Sequence, residues 1–168
     1  MARALIVGCG CRGRELGERL LSEGWAVRGT SRGERGLAAI AAAGIEPALA
    51  DPDRVGTVLE LVGDVAIVFH LLGFATGEPG ALAEIHGPRL ERLLEKIVDT
   101  PVRGVVYEAV GSVDGALLAG GAKIVATASR TWRIPAEILT SEPNGPAEWS
   151  QEMVDLALNL LSPAREVK

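Results

Sequence analysis

The sequence predicts an α/β fold, a doubly wound and mostly parallel six-stranded sheet with helices on both faces, in a single Rossmann-like domain over residues 1–168. Three observations carry this. Short apolar runs alternate about six times with segments of helical period along the 168 residues. The run Val65-Ala66-Ile67-Val68-Phe69-His70-Leu71-Leu72 is apolar almost throughout, as in a strand covered on both faces. A glycine cluster follows the first apolar run and precedes a helical stripe. Parallel neighbours cannot be joined by hairpins, so the connections are right-handed crossovers.

Ala4-Leu5-Ile6-Val7 is the first strand, broken by Gly8-Cys9-Gly10-Cys11-Arg12-Gly13. Leu16, Leu20 and Leu21 then mark a helix that ends at Gly24. Residues 25–30 form the second strand, and Leu37, Ile40 and Ala41 carry a helix to Gly44. The third strand lies in 45–50, and Pro47 makes it begin at or after that residue or lie at an edge. Asp51-Pro52 reads as an N-cap followed by a first-turn proline, with Val55, Val58, Leu59 and Val62 as the stripe of the next helix. The apolar run 65–72 is the fourth strand, followed by a glycine-punctuated loop over 73–80. A helical segment covers 81–98 with a possible break at Gly87-Pro88, and 102–107 is the fifth strand. Residues 116–131 read as helix weakened by Gly120-Gly121, residues 134–139 as a sixth strand with an edge-marking Pro135, and 147–161 as a closing helix. That last helix turns Trp149, Met153, Leu156, Ala157 and Leu160 inward, and it serves equally as a core helix or as the face of a homodimer.

Seventeen basic and 22 acidic residues give a net charge of −5, which disfavours nucleic acid and anionic membrane surfaces as partners and leaves a small-molecule ligand. Apolar runs fall far short of the roughly 18 residues that span a bilayer, and Arg12 interrupts the N-terminus too early for a signal peptide. Cys9 and Cys11 are too few and too close for a disulfide framework, so the expected compartment is the reducing cytoplasm. The two histidines and two cysteines lack the spacing of a metal site, and none is expected.

Strand, Gly8-x-Gly10-x-x-Gly13 and helix together form the best functional signal. Gly8 permits the tight turn, Gly10 leaves room for a diphosphate, and Gly13 lets the helix pack close. The helix N-terminus then offers unpaired amides and its positive end, with Cys11 and Arg12 in the first turn. A Walker-type loop is disfavoured because no Gly-Lys-Ser or Gly-Lys-Thr follows. An acidic residue after the second strand would select NAD, whereas this chain has Gly29-Thr30-Ser31-Arg32. Thr30 and Ser31 can donate hydrogen bonds and Arg32 can fork onto a 2′-phosphate, which favours NADP over NAD. The alternative for Arg32 is a solvated helix-start residue. Asp51 either accepts from the adenine amino group or only caps its helix. Leu71, Leu72 and Gly73 place backbone beneath the nicotinamide-side ribose. His70 contacts the cofactor or a catalytic partner, or is a packed, internally satisfied histidine. His86 reads as a surface or cap residue.

Val7-Gly8-Cys9-Gly10-Cys11-Arg12-Gly13 and Gly29-Thr30-Ser31-Arg32, extended by Ala50-Asp51, Phe69-His70-Leu71-Leu72-Gly73 and Gly104-Val105-Val106-Tyr107, resemble the short-chain dehydrogenase/reductase superfamily on its extended, sugar-nucleotide-epimerase-like side. The resemblance covers roughly 1–140. It implies pyrophosphate binding at Gly8, Gly10 and Gly13, an NADP-type contact at Arg32, and an adenine contact at Asp51. It also implies a tyrosine with a lysine four positions later, but Tyr107 lies inside the fifth strand and position 111 is Gly111. About 30 residues remain after the sixth strand, fewer than the family's substrate lobe needs. His70, Glu108, Ser112 and Asp114 are the candidates to gather at the sheet edge in place of the missing pair. A glutamate raised toward neutrality by burial would be a general base. Strand alternation sends Tyr107 and Glu108 toward opposite helix layers. Two readings follow: a noncanonical NADP-dependent oxidoreductase or epimerase-like enzyme, or a dinucleotide-binding redox sensor or regulatory protein without turnover.

Overall fold

A computed structural model describes residues 2–162. In chain order it contains β1 (Arg3–Val7), α1 (Cys11–Ser22), β2 (Ala26–Ser31), α2 (Glu34–Ala42), β3 (Glu46–Leu49), α3 (Val55–Leu59), β4 (Ile67–His70), α4 (Pro79–Ile85), α5 (Pro88–Ile97), β5 (Gly104–Glu108), α6 (Gly115–Trp132), β6 (Ala136–Leu139) and α7 (Pro146–Leu161). The six strands form one sheet in the order β3-β2-β1-β4-β5-β6, and every pairing is parallel. The chain winds outward from β1 to β3, then crosses back to β4 and winds the other way. This reversal opens a crevice at the carboxyl ends of β1 and β4, the topological switch point of such sheets.

The period of two along each strand builds two cores. On β1, Ala4 and Ile6 face one layer while Leu5 and Val7 face the other, and all four are fully buried. The first layer joins Ile6, Phe69 and Val106 to Leu16 and Leu20 of α1, Ile40 of α2, and Trp149 and Met153 of α7. The second joins Leu5, Val68 and Val105 to Val58 of α3, Leu90 and Leu94 of α5, and Val125 of α6. Truncating a fully buried anchor such as Leu16 to alanine costs about 2–5 kcal/mol. Among the described residues, no helix is long and apolar enough to cross a membrane.

The structure revises several boundaries. The fourth strand is shorter than its apolar run: β4 spans only Ile67–His70, although Val65, Leu71 and Leu72 are buried too. β3 starts at Glu46, one residue before Pro47, and the proline is tolerated because β3 is an edge strand. β6 is the other edge, with Pro135 just ahead of it. The helix does break at Gly87-Pro88, where a side chain on Gly87 would stand 2.7 Å from the carbonyl oxygen of Ala83. Asp51 does not cap a helix beginning at Pro52. Its Oδ1 accepts from the Asp53 amide at 3.0 Å in a local turn, and α3 starts only at Val55 with Arg54 before it. Helix α6 runs unbroken through Gly120-Gly121 because Asp114 caps it, accepting from the Ala116 amide at 2.9 Å, and because Gly121 fits against the Tyr107 ring.

Candidate functional site

The β1–α1 turn is built by backbone geometry. Gly8 has φ +83°, and a Cβ there would lie 2.6 Å from the Leu71 carbonyl oxygen, so both conformation and space require glycine. Its amide donates to Thr30 Oγ1 at 3.1 Å, and the Cys9 amide donates to the Thr30 carbonyl at 3.0 Å. Thr30, 2% exposed, therefore pins the turn to β2 as an acceptor, which leaves its hydroxyl proton free at the cleft wall. A Cβ on Gly10 would meet nothing within 4 Å, so that position opens onto free space. On Gly13 it would lie 3.2 Å from Ile6 and 3.3 Å from the Cys9 sulfur, which is how α1 comes down close on the sheet. The first-turn amides of α1 have no helical carbonyl to meet, and no acidic side chain occupies that turn.

This turn forms the floor of a cleft of about 690 Å³ at the carboxyl edge of the sheet. Of the residues expected to bind a cofactor, Gly8, Gly10, Cys11, Arg12, Gly13, Thr30, Ser31, Arg32, Asp51, Leu71 and Leu72 all line it. Gly73 does not. It is buried behind the wall, its carbonyl accepting from the Val113 amide at 3.0 Å, and it sits so close to Val110 and Gly111 that no side chain fits. The opposite wall, made by Phe74 to Glu78 and by Leu82 and Ile85 of α4, was not among the expected residues. Its signal was the glycine-punctuated loop after the fourth strand, a carboxyl-edge loop of the kind that carries function.

Arg12 and Glu108 meet at one end of this cleft. The Arg12 guanidinium lies 4.4 Å from the Trp149 ring and 4.5 Å from the Phe74 ring. Its Nη2 is 3.5 Å from Glu108 Oε2, and its Nη1 is 3.5 Å from Glu142 Oε1. The Trp149 indole N–H donates to Glu108 Oε2 at 3.1 Å. Glu108 is 2% exposed, and burial pushes its carboxyl up to about 7; Arg12 and the Trp149 and Gly73 donors pull the other way, and Glu142 adds to the rise. Trp149 thus belongs to the cleft's chemistry as well as to the core.

The other proposed substitutes for a tyrosine–lysine pair do not join Glu108. His70 points into the layer opposite Glu108, packing its ring 5.3 Å from Tyr107 and 5.8 Å from His86, and is not in the cleft. Burial holds it down to about 3, so it is neutral, and its Nδ1 has no partner among the described residues. It is therefore packed without being internally satisfied. Ser112 is exposed outside the cleft, and Asp114 is occupied in capping α6. His86 stands at the C-cap of α4, but it is not on the surface: 1% exposed, it contacts the Leu72 carbonyl at 2.9 Å through Nε2 and the Tyr107 hydroxyl at 2.7 Å through Nδ1. The carbonyl can only accept, so Nε2 carries the proton and the phenol donates to Nδ1. Tyr107, facing the layer opposite Glu108 as strand alternation requires, is turned away from the cleft. Cys9 is buried, its thiol pushed up to about 12, so it is no thiolate; Cys11 is exposed in the cleft.

No protein-family model and no curated protein matches the chain. Solved structures do. UDP-N-acetylglucosamine 4-epimerase from Bacillus cereus superposes with a TM-score of 0.67 at 14% identity, covering 96% of this chain and 73% of that one. UDP-glucuronic acid 4-epimerase from Bacillus cereus, in complex with NAD, gives 0.65 at 15% identity over 81% of this chain and 55% of that one. A yeast methylglyoxal/isovaleraldehyde reductase complexed with NADPH gives 0.64 at 14%, over 81% and 56%. The chain has the Rossmann-like fold of the sugar-nucleotide epimerases and reductases. It spans about half the length of several of the structures it matches.

Proposed function

We propose that the cleft binds a nicotinamide dinucleotide, NADP in preference to NAD, with its diphosphate on the first turn of α1. The observation that carries this is the open space over Gly10, bounded by unpartnered helix amides and continuous with a cleft of about 690 Å³. That volume falls in the range of small-molecule sites. The residues present fit the group. Gly8 and Gly13 hold the backbone where a diphosphate can approach, and the helix N-terminus favours negative charge. Ser31 and Arg32 line the far end, where a 2′-phosphate would accept from the guanidinium fork. Asp51 also lines the cleft, and in this reading it accepts from the adenine amino group. The two similar structures that hold NAD and NADPH are consistent with the class of ligand.

When bound, the nicotinamide supplies or accepts hydride. The chain's own part is to fix the cofactor by backbone amides, to wall it with Phe74, Leu82 and Ile85, and to hold Arg12 and Glu108 at the opposite end. An oxidoreductase or epimerase-like activity on a small molecule is the enzymatic form of this reading. The second form is a binding protein without turnover, a redox sensor or regulatory partner, favoured by the orientation of Tyr107 away from the cleft.

The test is thermal unfolding with NADP and NAD. NADP is expected to raise Tm more than NAD, and Arg32→Ala to reduce NADP affinity about tenfold or more while leaving NAD unaffected, from the loss of a charge-assisted contact of about 1.5–3 kcal/mol. Equal effects of both cofactors, unchanged by the substitution, would refute the NADP preference. No turnover in a carbonyl and alcohol screen, despite tight binding, would decide for the binding protein.

A further inference from the structure

Resting on the dinucleotide reading, we infer that Arg12 changes partners when the cleft fills, from Glu108 to the ligand's diphosphate, and that Glu108 takes up a proton as it does so. This makes Glu108 the proton-exchanging group of the cleft.

The geometry favours the exchange. Arg12 belongs to the same first turn of α1 whose amides face the open space over Gly10. Its contacts to Glu108 and Glu142 are both 3.5 Å, longer than the 2.7–2.9 Å of a firm charge-assisted bond, so little is lost in leaving them. The rings of Trp149 and Phe74 hold the guanidinium by its π-system, which lets it slide without losing that contact. Glu142 is 61% exposed and can turn to water. Glu108 cannot: it is buried at the end of β5.

The groups facing Glu108 from each neighbouring element are few. Arg12 comes from α1 and Glu142 from the β6–α7 loop. Two neutral donors complete the set, the Trp149 indole of α7 and the Gly73 amide of the β4–α4 loop. Arg12 is the only cation among these groups. Removing it leaves a buried carboxylate with no cation beside it, a state relieved by binding a proton. The exchange balances: the proton comes from solvent, Glu108 loses its negative charge, and the guanidinium keeps its own. What results is a neutral carboxylic acid at the cleft, able to donate to a bound substrate oxygen.

The experiment is calorimetric titration of the full chain with NADPH, whose nicotinamide ring is uncharged. It is run at pH 7.5 and 5.5, each in two buffers of different ionisation enthalpy. With its carboxyl near 7, Glu108 is about three-quarters ionised at pH 7.5 and almost fully protonated at pH 5.5. Wild type is therefore expected to take up about 0.5–0.75 proton per NADPH at pH 7.5 beyond any uptake by Glu108→Gln, which cancels the ligand's own protons. At pH 5.5 the two are expected to agree. Because E108Q has no protonation to make, it should bind about fourfold more tightly than wild type at pH 7.5 and equally at pH 5.5. Arg12→Ala should bind more weakly with the excess uptake gone. Binding with equal proton uptake in wild type and E108Q overturns the exchange while leaving the dinucleotide reading intact. No binding of NADPH to folded wild type overturns that reading, and the exchange falls with it. If E108Q does not fold, wild type against R12A gives the same comparison.

Discussion

Replacing Glu108 by glutamine should change the pH dependence of stability in a way fixed by the burial of one carboxyl. In the folded chain it titrates near 7, against an ordinary value of 4.5 when exposed. The folded state thus holds this proton more tightly than the unfolded state. Stability contributed by the group is full below about 4.5 and falls as pH rises to about 7, then stays level. The difference of 2.5 pH units corresponds to about 3 kcal/mol at 1.36 kcal/mol per unit. Glu108 is 2% exposed, so solvent screening does not discount it. Glutamine keeps an oxygen for the Trp149 indole but cannot ionise. E108Q should therefore gain stability relative to wild type by about 3 kcal/mol on going from pH 4.5 to 8. Urea unfolding at half-unit pH steps measures this as a midpoint difference growing by on the order of 1 M. Taking the difference between proteins cancels every other titrating group. A midpoint difference that stays constant from pH 4.5 to 8 would mean that Glu108 is not held in a dry pocket.

Three further outcomes are expected. Gly10→Val places its side chain in open space, so the unfolding free energy should change by less than about 1 kcal/mol while NADP binding is lost; retained binding would put the diphosphate elsewhere. Gly121→Ala drives a methyl into the Tyr107 hydroxyl and should destabilise by about 1–3 kcal/mol despite alanine's better helix propensity, with a stabilised variant in urea counting against the packing described. His70, held down to about 3 from an ordinary 6.5, contributes stability that is full above 6.5 and is lost as pH falls toward 3; at pH 5 the loss is about 2 kcal/mol. His70→Leu should remove that part of the acid slope, and identical slopes for the two proteins would refute the burial.

The fold was legible because its signals are local and repeated. The alternation of Ala4, Leu5, Ile6 and Val7 into two cores follows from a period of two, and the glycine turn announces its own conformation. Pro47 and Pro135 marked the two edge strands. The diphosphate floor was legible for the same reason, since Gly8, Gly10 and Gly13 act through backbone geometry. The partners of Glu108 were not. Arg12, Gly73, Glu142 and Trp149 come from separate elements of the chain, with Phe74 against the Arg12 guanidinium, and only the folded sheet brings them together. His86 misled because a histidine beside Gly87-Pro88 looks like a loop residue, whereas the break between α4 and α5 turns it inward onto Tyr107. His70 and Ser112 were grouped with Glu108 by nearness to strand ends. The face of the strand, not its end, decides which side chains meet, and it separates His70 from Glu108 by the thickness of the sheet.

The proline in β3 has a consequence for how copies of the chain treat one another. The Ala50 amide bonds back to Ser31, so by alternation the amides of Ala48 and Glu46 also face β2, and position 47 faces outward. Pro47 therefore removes no rung from its own ladder. It removes one from the rim, where Leu49, 66% exposed, would otherwise complete a sticky border. A stranger's strand arriving there finds a missing donor in the middle of its template, and edge-to-edge aggregation is denied its start.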